Sequence, residues 1–218
     1  MRARTLAAAG LVAVAALAVT ACSSAGPAAT FTPGSAGLST AGAQASDTAA
    51  NSGGYVMPPF GPNAHIEMTS WLPANASEAA AVNTDKSYEL AFLYAEYKGG
   101  QDDSWVNYVS QVMRTAVQQS LQAPDVATES FTGTIKYFDM GVIADPEVKG
   151  DLDVSACFDN AGSSNTNRST GAVIPDTSAP NSHYVRISDE LRKDSAGQWQ
   201  VVSSLPAVYY PEASQCKP

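Results

Sequence analysis

Hydrophobic and polar residues divide the chain into four regimes. Residues 5–19 are an uncharged run rich in Ala, Val and Leu. Residues 23–54 are almost wholly Ala, Ser, Gly, Thr and Pro, with Asp47 the one charge and Phe31 the one aromatic. From Asn75 to Pro124 apolar residues recur at helical spacing. Beyond Phe131 they alternate with polar ones, the period of strands.

Between the low-complexity run and the helical region, Met57-Pro58-Pro59-Phe60-Gly61-Pro62 predicts an extended arm, because each Pro pushes its predecessor out of the helical region. The weak alternation from His65 to Trp71 predicts a strand lying on the domain; the alternative is a continued tether with sticky residues. Asn75-Ala76-Ser77-Glu78 has the form of a capping box, and residues 79–97 predict a helix with a break near Asn83-Thr84. Tyr88, Leu90, Ala91, Phe92, Leu93 and Tyr94 make it apolar nearly all round, so it is expected to be buried on most sides. Gly99-Gly100 ends it. Asp102, Asp103 or Ser104 can cap a second helix, whose expected core stripe is Trp105, Val109, Val112, Met113, Ala116 and Leu121, with Pro124 closing the element.

Residues 131–138 are rich in β-branched and aromatic side chains and predict a strand. In 151–159, Leu152, Val154, Ala156 and Phe158 alternate with Asp151, Asp153, Ser155 and Cys157, which puts Cys157 on the more polar face. Residues 143–150 and 161–182 read as loops. Residues 184–193 predict a strand with Val185, Ile187 and Leu191 on one face; a turn at Ser195-Ala196-Gly197 leads into 198–202, and Val208-Tyr209-Tyr210 precedes the tail. Helices first and strands afterwards predict an α+β domain, N-terminal helices on a curved antiparallel sheet.

Charge and cysteine usage add the setting. Arg2 and Arg4, the short apolar run and the small residues ending at Ala21 form a secretory signal. The run is too short to span a bilayer, which takes roughly 20 apolar residues. The organisation expected is a signal over 1–21, a disordered tether over 22–54 and a single domain over 55–218. Coil statistics give such a tether a span of roughly 30 Å. Loss of Arg2 and Arg4 leaves ten of twelve basic residues against 21 acidic ones, a formal balance of −11. That balance argues against nucleic acid as a partner, and against adhesion to anionic lipid by charge. Once Cys22 is set apart, Cys157 and Cys216 are left, an even number in an exported domain, and they predict a disulfide closing a loop of about 60 residues and worth about 4 kcal/mol. The alternative is a pair of buried thiols.

Val19-Thr20-Ala21-Cys22 resembles the lipobox of bacterial lipoproteins. The resemblance implies cleavage before Cys22 and a lipid anchor on its thiol, at the outer face of the cell membrane. Cys157-Phe158-Asp159, Arg168-Ser169-Thr170-Gly171 and Gly197-Gln198-Trp199-Gln200-Val201, with the 79–97 helix and the terminal Cys216, resemble a group of actinobacterial secreted lipoproteins of unknown function. The helices-then-sheet order is similar to the nuclear transport factor 2-like (SnoaL-like) cone. These resemblances imply a cone-like domain over residues 55–218 and add to the disulfide reading.

No catalytic residue carries over from that likeness, because relatives of the fold include both enzymes and binding proteins. His183, beside a strand start, is the candidate general base; His65 lies in the arm. Asp151-Leu152-Asp153-Val154-Ser155 starts like a calcium loop but has Ala156 and Gly162 where such loops need Gly and Glu, so no metal is expected. No cofactor motif appears: there is no glycine-rich phosphate loop and no nucleophile elbow, and Ser214-Gln215-Cys216-Lys217 is a chance Ser-x-x-Lys. Tyr88, Phe92, Trp105, Phe131, Tyr137 and Trp199 are candidates to line a pocket, or are simply core. The expectation is a non-enzymatic envelope domain that engages a protein, a glycan or a small apolar ligand. The alternative is a cone-pocket isomerase, dehydratase or hydrolase acting on a small apolar substrate.

Overall fold

A computed structural model describes residues 55–70, 72–143, 150–177 and 182–217. The signal, Cys22, the tether and the expected turn at 144–149 lie outside those residues. Seven strands form one mixed sheet: β1 Ala64–Ser70, β2 Glu129–Ile143, β3 Leu152–Asp159, β4 Ser163–Asn167, β5 Tyr184–Lys193, β6 Trp199–Ser204 and β7 Val208–Tyr209. Its path runs β1-β2-β3-β5-β6 and does not close; β4 pairs with β2, and β7 with β5. The helices are α1 Ala76–Tyr97, α2 Gln111–Leu121 and α3 Pro124–Thr128.

The sheet is not wholly antiparallel. β1 lies parallel to β2, with Ile66 opposite Ile135, while the other strand pairs are antiparallel. A parallel neighbour requires a crossover between the strands, and α1 is part of it. The long β2 changes partners along one edge, taking β4 over Glu129–Gly133 and β3 over Lys136–Ile143. Between Phe138 and Gly141 its register with β3 shifts at a bulge, where Asp139 sits at φ 53°. Bulges bend and twist a strand, and this one helps curve the sheet.

α1 is continuous from Ala76, without a break at Asn83-Thr84. Asn75 caps it, its Oδ1 accepting from the Ser77 and Glu78 backbone N–H groups at 2.8 and 3.3 Å. At the other end the Gly100 N–H donates to the Ala95 carbonyl at 2.8 Å, with Gly99 and Gly100 at φ 74° and 79°. The Arg168 guanidinium donates to the carbonyls of Glu96, Tyr97, Val126 and Glu129, which ties the end of α1 to the start of β2.

The expected second helix is two pieces. A 3₁₀ helix over Ser104–Tyr108 ends at Val109, which is extended and bridges to Val201 of β6; Ser110 then caps α2. That interruption resets the helical phase. Trp105, Val109, Met113, Val117 and Leu121 are buried, whereas Val112 is 81% exposed and Ala116 faces solvent. α2 ends at Leu121, and Pro124 opens α3. Likewise the polar stretch after Ala161 contains β4, paired with β2.

One core joins the helices to the inner face of the sheet. Ala81, Val82, Ala91 and Ala95 of α1 share it with Ile135, Met140, Val154, Leu191 and Val201. The arm closes it at one end: Phe60 lies edge-on to Tyr94 and Tyr97 and packs on Phe131. Tyr55 N–H donates to Ser87 Oγ and Gly61 N–H to the Tyr97 hydroxyl. Cys157 and Cys216 are bonded, with Cα atoms 5.1 Å apart. They belong to a second, outer cluster with Ala213, packed by Phe138, Tyr184 and Val208, so the polar face of β3 is covered there by the tail.

Candidate functional site

The alternation of β5 sets four residues on its inner face: Val185, Ile187, Asp189 and Leu191. Asp189 is the exception in chemistry, and it is only 5% exposed. It pairs across the ladder with Ser204 of β6. Above it, α1 presents Asp85 and Glu89, one turn apart and therefore on one helix face. Asp85 is 3% exposed. Three carboxyls thus meet between helix and sheet.

Their proton habits follow from burial. Desolvation pushes the Asp85 and Glu89 carboxyls well above the usual carboxylate range, and the nearby Asp189 pushes each further. Burial also raises Asp189, but hydrogen bonds from Ser204, Asp85 and Glu89 hold it down. Burial thus favours the protonated forms of Asp85 and Glu89, and their hydrogen bonds to Asp189 favour its ionised form. Tyr137 hydrogen-bonds Glu89, and Ser204 hydrogen-bonds Tyr88. Both phenols are pushed well above their ordinary value, first by burial and then by neighbouring acids, Asp189 and Glu89 at Tyr88 and Glu89 and Glu96 at Tyr137. Asp85 Oδ1 has no hydrogen-bond partner, a costly arrangement inside a protein.

Glu89 and Asp189 stand in the wall of a cavity of about 250 Å³ between α1 and the sheet. α1 contributes Tyr88, Glu89, Phe92, Leu93 and Glu96, all on one face. The sheet contributes Phe131 and Tyr137 of β2, Phe158 of β3, Val185, Ile187 and Asp189 of β5, and Tyr209 of β7. The Tyr137 and Phe158 rings meet edge to face at 5.1 Å. Asp125 and Glu129 add carboxylates; among the described residues that line the cavity there is no Lys, Arg or His.

Of the aromatic residues singled out in the sequence, Tyr88, Phe92, Phe131 and Tyr137 line the cavity; Trp105 and Trp199 lie in the core and not in its wall. His183 is not in the wall either. Its Nδ1 lies 3.1 Å from Asn160 Oδ1 and its Nε2 3.6 Å from Asp176. His65 is exposed on β1. Asp151, the start of the rejected calcium loop, is instead gripped by Arg192. Among the described residues no three His, Cys, Asp or Glu side chains are placed to share a metal ion. Sequence reasoning passed over Asp85, Glu89 and Asp189. The signals were there: two acids at i and i+4 in a helix apolar nearly all round, and an Asp in phase with Val185, Ile187 and Leu191.

No protein-family model and no curated protein matches the chain. Among solved structures it is similar to a ketosteroid isomerase-like protein from Erwinia carotovora atroseptica, at 16% identity and a TM-score of 0.41, over 58% of this chain and 92% of that one. A Shewanella frigidimarina protein assigned by likeness to the ketosteroid isomerases matches at 11% identity and a TM-score of 0.27, over 63% of this chain and 94% of that one. Likenesses this distant carry no activity to this chain.

Proposed function

We propose that the protein is an exported lipoprotein, held through Cys22 at the outer face of the cell membrane, whose cone-like domain binds a small ligand in the cavity between α1 and the sheet. The observation that carries the binding part is the cavity itself. A folded core normally closes to crystal-like density, yet here about 250 Å³ stays open beside polar groups buried deep in the wall. Support for the anchor comes from the sequence ending in Ala21-Cys22 and from the tether after it.

Each part has its own test. Cys22→Ser should release the protein into the medium or leave it unprocessed, and mass spectrometry of the mature N-terminus should find lipid on the wild type alone. Continued retention with no lipid removes the anchor. For the cavity, titration with small amphiphilic probes should shift NMR signals of Tyr88, Phe131 and Phe158, and Ile187→Trp, which fills the space, should abolish those shifts while the fold persists. Shifts confined to the outer surface remove the cavity reading. A catalytic use of the same cavity would need Asp189 to take or give a proton. Turnover of a bound probe, lost in Asp189→Asn with binding retained, would replace the non-enzymatic reading with that one.

A further inference from the structure

We infer that the cavity takes an organic cation, an amine or ammonium head set against Asp189 with an apolar body among Phe92, Phe131 and Phe158. The inference rests on the reading of the cavity as a ligand site and names the ligand's chemical class. Two independent features carry it. The first is sign: the wall holds five acids, Asp189 among them and Glu129 already accepting from Asn165, and among the described residues that line it none is Lys, Arg or His. The second is the wall itself, where aromatic rings supply faces that attract a positive charge once water is displaced.

Electrostatics gives the binding a signature. The titratable groups facing Asp189 and Glu89 are Asp85, Glu96, Tyr88 and Tyr137; none is cationic. The cluster accordingly limits its own charge by holding protons. A cation brought against Asp189 favours the ionised carboxylates, so binding should expel protons, and affinity should rise with pH until the cluster is ionised. A divalent metal is a poorer match, since the carboxyls are not grouped to coordinate one.

Three probes of one shape decide it: 3-phenylpropylamine, 3-phenylpropan-1-ol and 3-phenylpropanoate, titrated into the full chain by calorimetry and NMR. At neutral pH the amine should bind about tenfold or more tighter than the alcohol, and the carboxylate weakest, a difference within reach of one charge pair in a low-dielectric site. The amine's observed heat should vary with buffer ionisation enthalpy, reporting proton release. Its advantage should collapse as pH falls and the cluster takes up protons. Asp189→Asn should erase the preference for amine over alcohol; Glu89→Gln, a second variant, should reduce the proton release. If the alcohol matches the amine, or the carboxylate binds best, the cation inference falls and the cavity reading stands. If all three leave the cavity signals unmoved, both fall.

Discussion

Asp189 and Glu190 are neighbours in sequence and point to opposite faces of β5. Inside, Asp189 meets two more carboxyls and, among the described residues, no cation, and hydrogen bonds with Ser204, Asp85 and Glu89 oppose the burial that raises it. Outside, Glu190 and Asp151 share Arg192, which donates through Nε to both Asp151 oxygens at 3.0 and 2.9 Å and through Nη2 to Glu190 at 3.3 Å. The hydrogen bond from Arg192 lowers Asp151 despite the burial that opposes it. Arg192 thus holds Asp151 below its ordinary range, whereas Asp189 and Glu190, on opposite faces, are both raised, first of all by burial. Where the guanidinium bonds both oxygens of a carboxylate, as at Asp151, the pKa falls; where burial outweighs the nearby charge, as at Glu190 and Asp189, it rises. The outer pair has its cation beside it, whereas the inner cluster leaves Asp85 Oδ1 without a hydrogen-bond partner, and the inner face is the one on which we propose a ligand.

The largest test of this two-faced picture is on the outer face, where Cys157–Cys216 pins the tail. Cys157→Ala with Cys216→Ala should cost about 2–5 kcal/mol, read as a lowered melting temperature, and should expose the chain to protease near Tyr209-Tyr210. Reach of the damage sharpens the comparison: the outer cluster with Phe138 and Val208 should loosen, while NMR signals of Ile135 and Val154 in the main core stay put. An unchanged melting temperature would mean that the tail is held by its pairing with β5 alone.

Next in size is the inner cluster. An acid whose folded pKa is raised holds its proton more tightly when folded, so its contribution is full below the unfolded value and is lost as pH rises through the folded one. Wild-type stability should therefore decline as pH climbs out of the ordinary carboxylate range. Asp85→Asn keeps a donor for Asp189 without the ionisable proton. It should flatten that decline and be more stable than wild type on the alkaline side. Chemical denaturation across pH checks this; a variant less stable than wild type at every pH would show that Asp85 serves by packing.

How much of this was legible depends on whether an element is set by its own side chains or by its partners. α1 was legible because Asn75, an apolar run and Gly99-Gly100 mark both its ends. β5 was legible from its alternation, and so was the placing of Cys157 opposite Leu152, Val154 and Phe158. β4, Ser-Ser-Asn-Thr-Asn, has no apolar alternation at all and is a strand because β2 offers it an edge. The parallel pairing of β1 depends on where the chain returns after the helices, which local spacing does not encode. The break at Val109 comes from its bridge to Val201, more than ninety residues on, and it moved Val112 out of the core. The site was partly legible: its aromatic residues stood out, but its acids did not. Acids in a helix are ordinarily solvent-facing, and Asp85 and Glu89 differ only in that their neighbours leave no solvent face.

The smallest effect belongs to Arg192, and its sign is the sharpest check on the comparison. Asp151 is lowered, so its contribution is present above the ordinary carboxylate value and fades as pH falls through that range. That slope is opposite to the one from the inner cluster. Arg192 is half exposed, so solvent and salt screen the pair and little stability is at stake. Arg192→Gln removes the cation and leaves Asp151 beside Glu190, the inner situation recreated on the outer face. Asp151 should then titrate higher, and the acid side of the pH–stability curve should lose its downward bend, with the alkaline side unaffected. Carboxyl chemical shifts of Asp151 and Asp189, followed by NMR through the acid range, separate the two faces directly: the substitution should move the first and leave the second. If Asp189 moves as well, the sheet does not insulate the faces, and the cavity's charge is set by the whole domain.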